Sequence, residues 1–197
     1  MTDVSIDSTQ AADNLLDALG EQLAAQNECF TIAVVGGSAL LALGLVSRAT
    51  RDVDVVAIID GEELMSAQPL PVALVGAAQT VARDFGLSED WLNPGPTSLL
   101  DLGLPDGFVE RARHRRYGPG LEVLFASRVD QIHFKLYATV DQGAGKHLKD
   151  LQALAPTERE LLDAASWSQT HDPSDGYRSV LARVLSYFGI DDGRFGS

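Results

Sequence analysis

The sequence predicts a mixed α/β fold of the α+β kind: a small mixed β-sheet flanked by helices, with a helical C-terminal extension. Three observations carry this. Short apolar, β-branched runs that end in glycine turns lie in the first two thirds of the chain. Segments of helical periodicity dominate the last third, and Pro156-Thr157 and Pro173 break them apart. With no repeat and no low-complexity tract, these divide the chain into an α/β core over residues 1–127 and a helical region over 128–197 that is expected to dock on the core.

The elements follow in order. Ala11 to Gln26 places Leu15, Leu16, Leu19, Leu23 and Ala24 at helical spacing, with Gly20 weakening the pattern slightly. Phe30 to Val35 is a β-branched run stopped by Gly36-Gly37, so it reads as a buried strand entering a tight turn. Ser38 is placed to cap a helix running to about Val46. Val53, Val55, Val56, Ile58 and Ile59 form a second strand with Asp52 and Asp54 at its start, closed by Asp60-Gly61. A helix follows Pro71 and runs to Gly86. Asn93-Pro94-Gly95-Pro96 and Pro105-Asp106-Gly107 mark a loop-rich stretch. Leu121 to Phe125 is a third strand, and the helices thereafter are Arg128 to Val140, Lys146 to Leu154, Thr157 to Ser168 and Tyr177 to Phe188.

Composition narrows the function classes. At 197 residues and 45% hydrophobic content the chain can bury a sizeable core. Its one cysteine, Cys29, forms no internal disulfide, which suits a reducing compartment and makes the cytoplasm the expected location. No window approaches the roughly 18 consecutive apolar residues of a membrane span, and the acidic Met1 to Asp13 segment does not read as a signal peptide. A net charge of −13 argues against a generic grip on a nucleic-acid backbone. The local basic run Arg111, Arg113, His114, Arg115 and Arg116 reads first as a solvated turn or strand edge and second as a contact surface. Neither a P-loop nor a dinucleotide-binding glycine motif nor a nucleophile elbow is present. The histidines lack metal-ligand spacing, and Trp91, Trp167 and Tyr137 read as core.

The informative stretch is Val34-Val35-Gly36-Gly37-Ser38 followed by Arg48-Ala49-Thr50-Arg51-Asp52-Val53-Asp54. Two glycines after a buried strand let the backbone approach a ligand, and the helix behind them offers N–H groups to a phosphate. Asp52 and Asp54, two apart on a strand, point to one face, where they repel unless a cation lies between them. Mg²⁺, with Mn²⁺ as the alternative, suits a pair of carboxylates shared with substrate phosphates. The competing account is structural: a plain turn beside two strand-edge acids.

This combination resembles the nucleotidyltransferases of the DNA polymerase β-like superfamily, and within it the AbiEii-type abortive-infection toxins and the related MenT toxins of bacterial toxin–antitoxin systems. The resemblance covers Phe30 to about Trp167. It maps the glycine turn and the Arg-x-Thr-x-Asp-x-Asp segment onto Gly36, Gly37, Ser38, Arg48, Thr50, Asp52 and Asp54, and the later helical residues onto Lys135 and Asp150. It implies a nucleotidyltransferase core in which Asp52 and Asp54 bind the metal, Gly36, Gly37, Ser38 and Arg48 hold the nucleotide, Lys135 offsets triphosphate charge, and Asp150 orients or deprotonates the acceptor. The superfamily's third carboxylate has one candidate here, Glu122, which reads equally as the exposed side of a half-buried strand; the resemblance to the AbiEii-like group favours Asp150.

The lysines add an independent signal, because Lys135, Lys146 and Lys149 are the chain's three lysines and fall within one short segment. Lys146 and Lys149 read equally as triphosphate ligands and as a solvated helix face. Lys135 interrupts the apolar run Ile132 to Ala138, so its ammonium needs a partner.

The expected activity is Mg²⁺-dependent transfer of a nucleotide from an NTP to an acceptor hydroxyl on tRNA or protein, with a cognate antitoxin as a further partner and no membrane. The alternative is a catalytically degenerate nucleotidyltransferase fold serving as a binding or regulatory partner.

Overall fold

The computed structural model describes residues 6–46, 49–101 and 103–190. They form a mixed α+β structure that divides into two compact units, Met1–Ser127 and Arg128–Ser197.

In the first unit, Ser8 caps α1 (Thr9–Ala25) by accepting from the Ala11 N–H, which explains why the helix starts just before its apolar stripe. β1 (Phe30–Val35) and β2 (Val53–Asp60) are antiparallel, with α2 (Gly36–Ala42) between them. The hairpin continues into β3 (Glu63–Ser66), a short exposed strand that the sequence pattern does not announce because it carries no apolar alternation. After α3 (Val72–Phe85) come the two-residue β4 (Leu92–Asn93), a 3₁₀ turn over Gly95–Thr97, the short helices α4 (Ser98–Asp101) and α5 (Phe108–Arg111), and the hairpin of β5 (Arg113–Tyr117) and β6 (Leu121–Phe125).

The sheet order is β3-β2-β1-β6-β5, and β4 also pairs with β2. The β1–β6 and β2–β4 pairs are parallel and the others antiparallel, so the sheet is mixed. One face carries the main core: Leu15, Leu16, Leu19 and Leu23 of α1 and Leu74 and Val81 of α3 meet Ile32, Val34, Val55, Val123 and Phe125. Each of these large side chains contributes about 1.5–3 kcal/mol of burial. Gly20 belongs to this contact, since a Cβ there would stand 1.7 Å from the Tyr117 carbonyl oxygen. What weakens α1 locally is what lets it approach the β5–β6 hairpin.

Of the basic run, Arg111 ends α5, and Arg113, His114, Arg115 and Arg116 lie on the edge strand β5. Arg115 donates to Asp13 at 3.2 Å and to the Ala42 carbonyl at 3.0 Å, while Tyr117 donates its hydroxyl to the same Asp13 at 2.7 Å. His114 and Arg116 lie 3.2 and 3.8 Å from Glu122 on the neighbouring strand. Charged side chains on a sheet edge discourage pairing with another chain, which gives this run a structural job.

The second unit consists, among the described residues, of α6 (Arg128–Gln142), α7 (Lys146–Ala153), α8 (Glu158–His171) and α9 (Asp175–Tyr187). Thr157 and Glu160 form a capping box at the start of α8. The Arg128 guanidinium joins both ends of this turn, donating to the Leu154 and Ala155 carbonyls at 2.8 Å each and to the Glu160 carboxylate at 2.6 and 3.2 Å. Trp167 lies against His133, Phe134, Tyr137 and His171, with ring centroids 4.3–6.1 Å apart. No helix among the described residues is long and apolar enough to cross a membrane.

Arg128, helped by the Thr157 backbone and hydroxyl, holds the Glu160 carboxyl down from 4.5 to about 2. A carboxyl depressed in the folded state stabilises it above the unfolded value, and that contribution is lost as pH falls through the folded value. The expected outcome is a loss of stability between about pH 4.5 and about pH 2 that Glu160→Gln removes, read by urea unfolding at a series of pH values.

Candidate functional site

The acid pair is positioned by the β1–β2 hairpin. The register runs from Thr31 opposite Ile59 to Val35 opposite Asp54, with an irregularity at Ala33/Val34. Gly36 follows Val35 directly, so the chain leaves β1 beside the Asp54 side chain. Gly36 has φ +75, and a Cβ there would stand 2.1 Å from Asp54 Oδ2. Two independent constraints therefore demand glycine: the left-handed backbone and the carboxylate against it. Gly36→Ala is expected to cost at least about 1–2 kcal/mol, from the backbone alone, in denaturant unfolding.

Asp52 immediately precedes β2 and Asp54 is its second residue. Both are half-buried, whereas Val53 and Val55 between and after them are buried in the main core, so the two acids share the opposite face. Each carboxylate is held. Thr50 donates its hydroxyl to Asp52 Oδ1 at 3.1 Å, and Thr50 is itself fixed by a backbone bridge to Ile6. Asn93 donates Nδ2 to Asp54 Oδ1 at 2.9 Å.

Gly37 and Ser38 lie in the first turn of α2, which starts at Gly36 and ends at Ala42 rather than near Val46. Ser38 is thus inside the helix and does not cap it; Val35 occupies the capping position without a side-chain bond. The helix is short because Gly44, at φ +69, turns the chain out of it. Ser38 is 2% exposed, and its Oγ has no hydrogen-bond partner among the described residues. An unmet buried hydroxyl costs about 1–3 kcal/mol, so Ser38 stands out among the buried polar side chains. Arg48 lies outside the described residues.

In the second unit, Lys135 on α6 and Asp150 on α7 meet as a buried ion pair. Nζ stands 2.9 Å from Asp150 Oδ2, with side-chain exposures of 6% and 2%. The partner that an ammonium in an apolar run requires is the acid named with it from the sequence. Lys146 and Lys149 are exposed on α7, as a solvated helix face would be.

Glu122 does not join the acids. It pairs with Thr31 across β1, four residues back from the Val35 that faces Asp54, which is roughly 13 Å along the strand. There it serves His114 and Arg116. Two open grooves of about 450 and 680 Å³ also lie toward this far end, both reaching Ile59 and Gly61, and neither includes Asp52 or Asp54. Among the described residues no cluster of three or more His, Cys, Asp or Glu side chains is placed to hold a metal ion.

Sequence reasoning missed Asn93. The Asn-Pro-Gly-Pro run signals a loop, and that signal hides the two residues before the first proline that pair with β2, Leu92 with Val53 and Asn93 with Asp54. Only the apolar Trp91-Leu92 step ahead of the turn hinted at a strand. Compared with models of known protein families, with characterised proteins and with solved structures, the chain matches none.

Proposed function

We propose that this chain is a Mg²⁺-dependent nucleotidyltransferase that moves a nucleotide from an NTP to an acceptor hydroxyl. The observation that supports it most is the contact of Gly36 with the Asp54 carboxylate, beside a second same-face acid and close in sequence to the buried Ser38 hydroxyl. A plain turn needs none of these together.

The residues fit the ion. Asp52 and Asp54 supply hard, anionic oxygens, and Gly36, having no side chain, lets the Asp54 carboxylate lie against the backbone. When bound, Mg²⁺ supplies charge stabilisation at the triphosphate and alignment of the α-phosphorus. The chain's own residues do the rest. Thr50 orients Asp52, Gly36 and Gly37 admit phosphate oxygens close to the backbone, and Ser38 offers a hydroxyl donor. In the transfer, the acceptor oxygen forms a bond to the α-phosphorus as the bond from that phosphorus to the bridging oxygen of the β-phosphate breaks, releasing pyrophosphate. The resemblance assigns the acceptor proton to Asp150 and the offset of triphosphate charge to Lys135, with Lys146 and Lys149 as further cations. It also suggests tRNA or protein as acceptor, a toxin role with a cognate antitoxin, and a cytoplasmic setting, which the lone thiol of Cys29 suits.

One observation favours the second reading, a degenerate fold used for binding or regulation. The candidate third acid, Glu122, is engaged by basic neighbours at the other end of its strand. Incubation with each α-labelled NTP, total bacterial RNA and cell extract separates the readings. Label entering a macromolecule only with Mg²⁺ or Mn²⁺ supports transfer, whereas nucleotide binding without any labelled product supports the degenerate fold.

A further inference from the structure

Asn93 lies at the meeting point of three fixed segments. On its N-terminal side Trp91 is fully buried, donates its indole N–H to the Ala78 carbonyl at 2.9 Å, and accepts from the Val53 N–H at 2.6 Å. On its C-terminal side Thr97 is 7% exposed and accepts the Ala67 N–H at 2.8 Å. Between these anchors, β4 sets Asn93 directly opposite Asp54 in the sheet.

The side-chain amide is oriented as firmly as the backbone. Its Oδ1 accepts the Gly95 N–H at 2.9 Å, an Asx turn that fixes which end of the amide is oxygen. The Nδ2 end is thereby turned to Asp54, where it donates to Oδ1 at 2.9 Å. Oδ2 of the same carboxylate is the oxygen that faces Gly36. One oxygen of Asp54 is therefore held by a neutral donor while the other is aimed at the glycine.

We infer that Asn93 is a positioning residue that acts through Asp54, holding Oδ1 so that the carboxylate keeps its place against Gly36, where it would bind a divalent cation shared with a nucleotide. A neutral donor suits this role because it orients the carboxylate without bringing a positive charge of its own, as an Arg or Lys would. This inference rests on the nucleotidyltransferase reading and adds to it a residue outside the glycine-turn and two-acid pattern. Hydrogen bonds to ligating carboxylates typically account for 10–100-fold in metal affinity.

The test is a Mn²⁺ titration of the full chain with a non-hydrolysable NTP analogue, followed by electron paramagnetic resonance, together with thermal unfolding without the ion. Asn93→Ser retains a short acceptor for the Gly95 N–H while withdrawing the donor from Asp54; Asn93→Ala removes both. Both variants are expected to bind Mn²⁺ about 10–100-fold more weakly, with the ion-free midpoint of Asn93→Ser unchanged. Should Asn93→Ala unfold, Asn93→Ser alone decides. Unaltered Mn²⁺ affinity in Asn93→Ser overturns the inference, as does a loss matched by a fall in the ion-free midpoint. Asp54→Asn in the same titration reads the parent proposal: abolished uptake there with normal uptake in Asn93→Ser sinks only the role of Asn93, and uptake that ignores Asp54→Asn sinks both.

Discussion

Replacing Asp52 and Asp54 together by asparagine is expected to lower nucleotide transfer by about a thousandfold or more while leaving the chain folded. The two carboxylates are the hard, anionic ligands of the proposed ion, and loss of its charge stabilisation at the triphosphate is worth several kcal/mol, about 4 for a thousandfold. Both side chains are half-buried on the face opposite the main core, so the amide replacements fit the same space. Removing two like charges from one face also relieves repulsion in the ion-free chain. Unfolding without Mg²⁺ should therefore shift little or toward higher stability. A transfer assay and a denaturant curve on the same preparation check the two halves. Retained transfer removes the acids from the chemistry.

Lys135→Met is expected to have the largest effect on stability, about 3–5 kcal/mol, because it leaves the Asp150 carboxylate buried without its counter-charge. Asp150→Leu should cost a similar amount for the mirror reason. The pair of substitutions together is expected to restore most of the loss, since two apolar side chains need no partner and a buried ion pair gains little over a well-packed replacement. Denaturant unfolding of the two single variants and the double variant closes the cycle. The double variant also separates structure from chemistry. If it folds but transfers nothing, the pair takes part in the reaction as the resemblance suggests. If it folds and transfers normally, the 2.9 Å contact is a structural brace between α6 and α7 and no more.

Much of the architecture was legible because it is written in local pattern. Phe30 to Val35 and Leu121 to Phe125 are strands at the predicted bounds, since β-branched or apolar runs bounded by glycine turns leave little choice. A helix begins at Arg128, where the period changes, and Pro156-Thr157 ends one helix and caps the next. What was not legible depends on contacts distant in sequence. β3 has no apolar alternation and exists because it pairs with β2. β4 is only two residues long and exists because Val53 and Asp54 offer it a free edge. The α2 helix stops early at a left-handed Gly44, which the apolar run through Leu43 and Leu45 concealed.

The candidate site divides in the same way. Spacing alone indicated that Asp52 and Asp54 share a face, and that Gly36 precedes a helix. Their adjacency required the pairing of Val35 with Asp54, a matter of register that a single sequence does not carry. The register of β6 on β1 sets Glu122 away from the acids, and that of β4 on β2 brings Asn93 to Asp54. Lys135 was identifiable as a buried cation in need of an anion, yet only tertiary packing of α6 on α7 assigns that anion as Asp150.

The most direct test is a crystal of the chain grown with Mn²⁺ and a non-hydrolysable NTP, with anomalous scattering recorded at the manganese edge. The account predicts one peak bound by carboxylate oxygens of both Asp52 and Asp54, with a phosphate oxygen at Gly36 or Ser38. An anomalous peak elsewhere, or nucleotide seated away from Gly36 with no ion at the two acids, would contradict it.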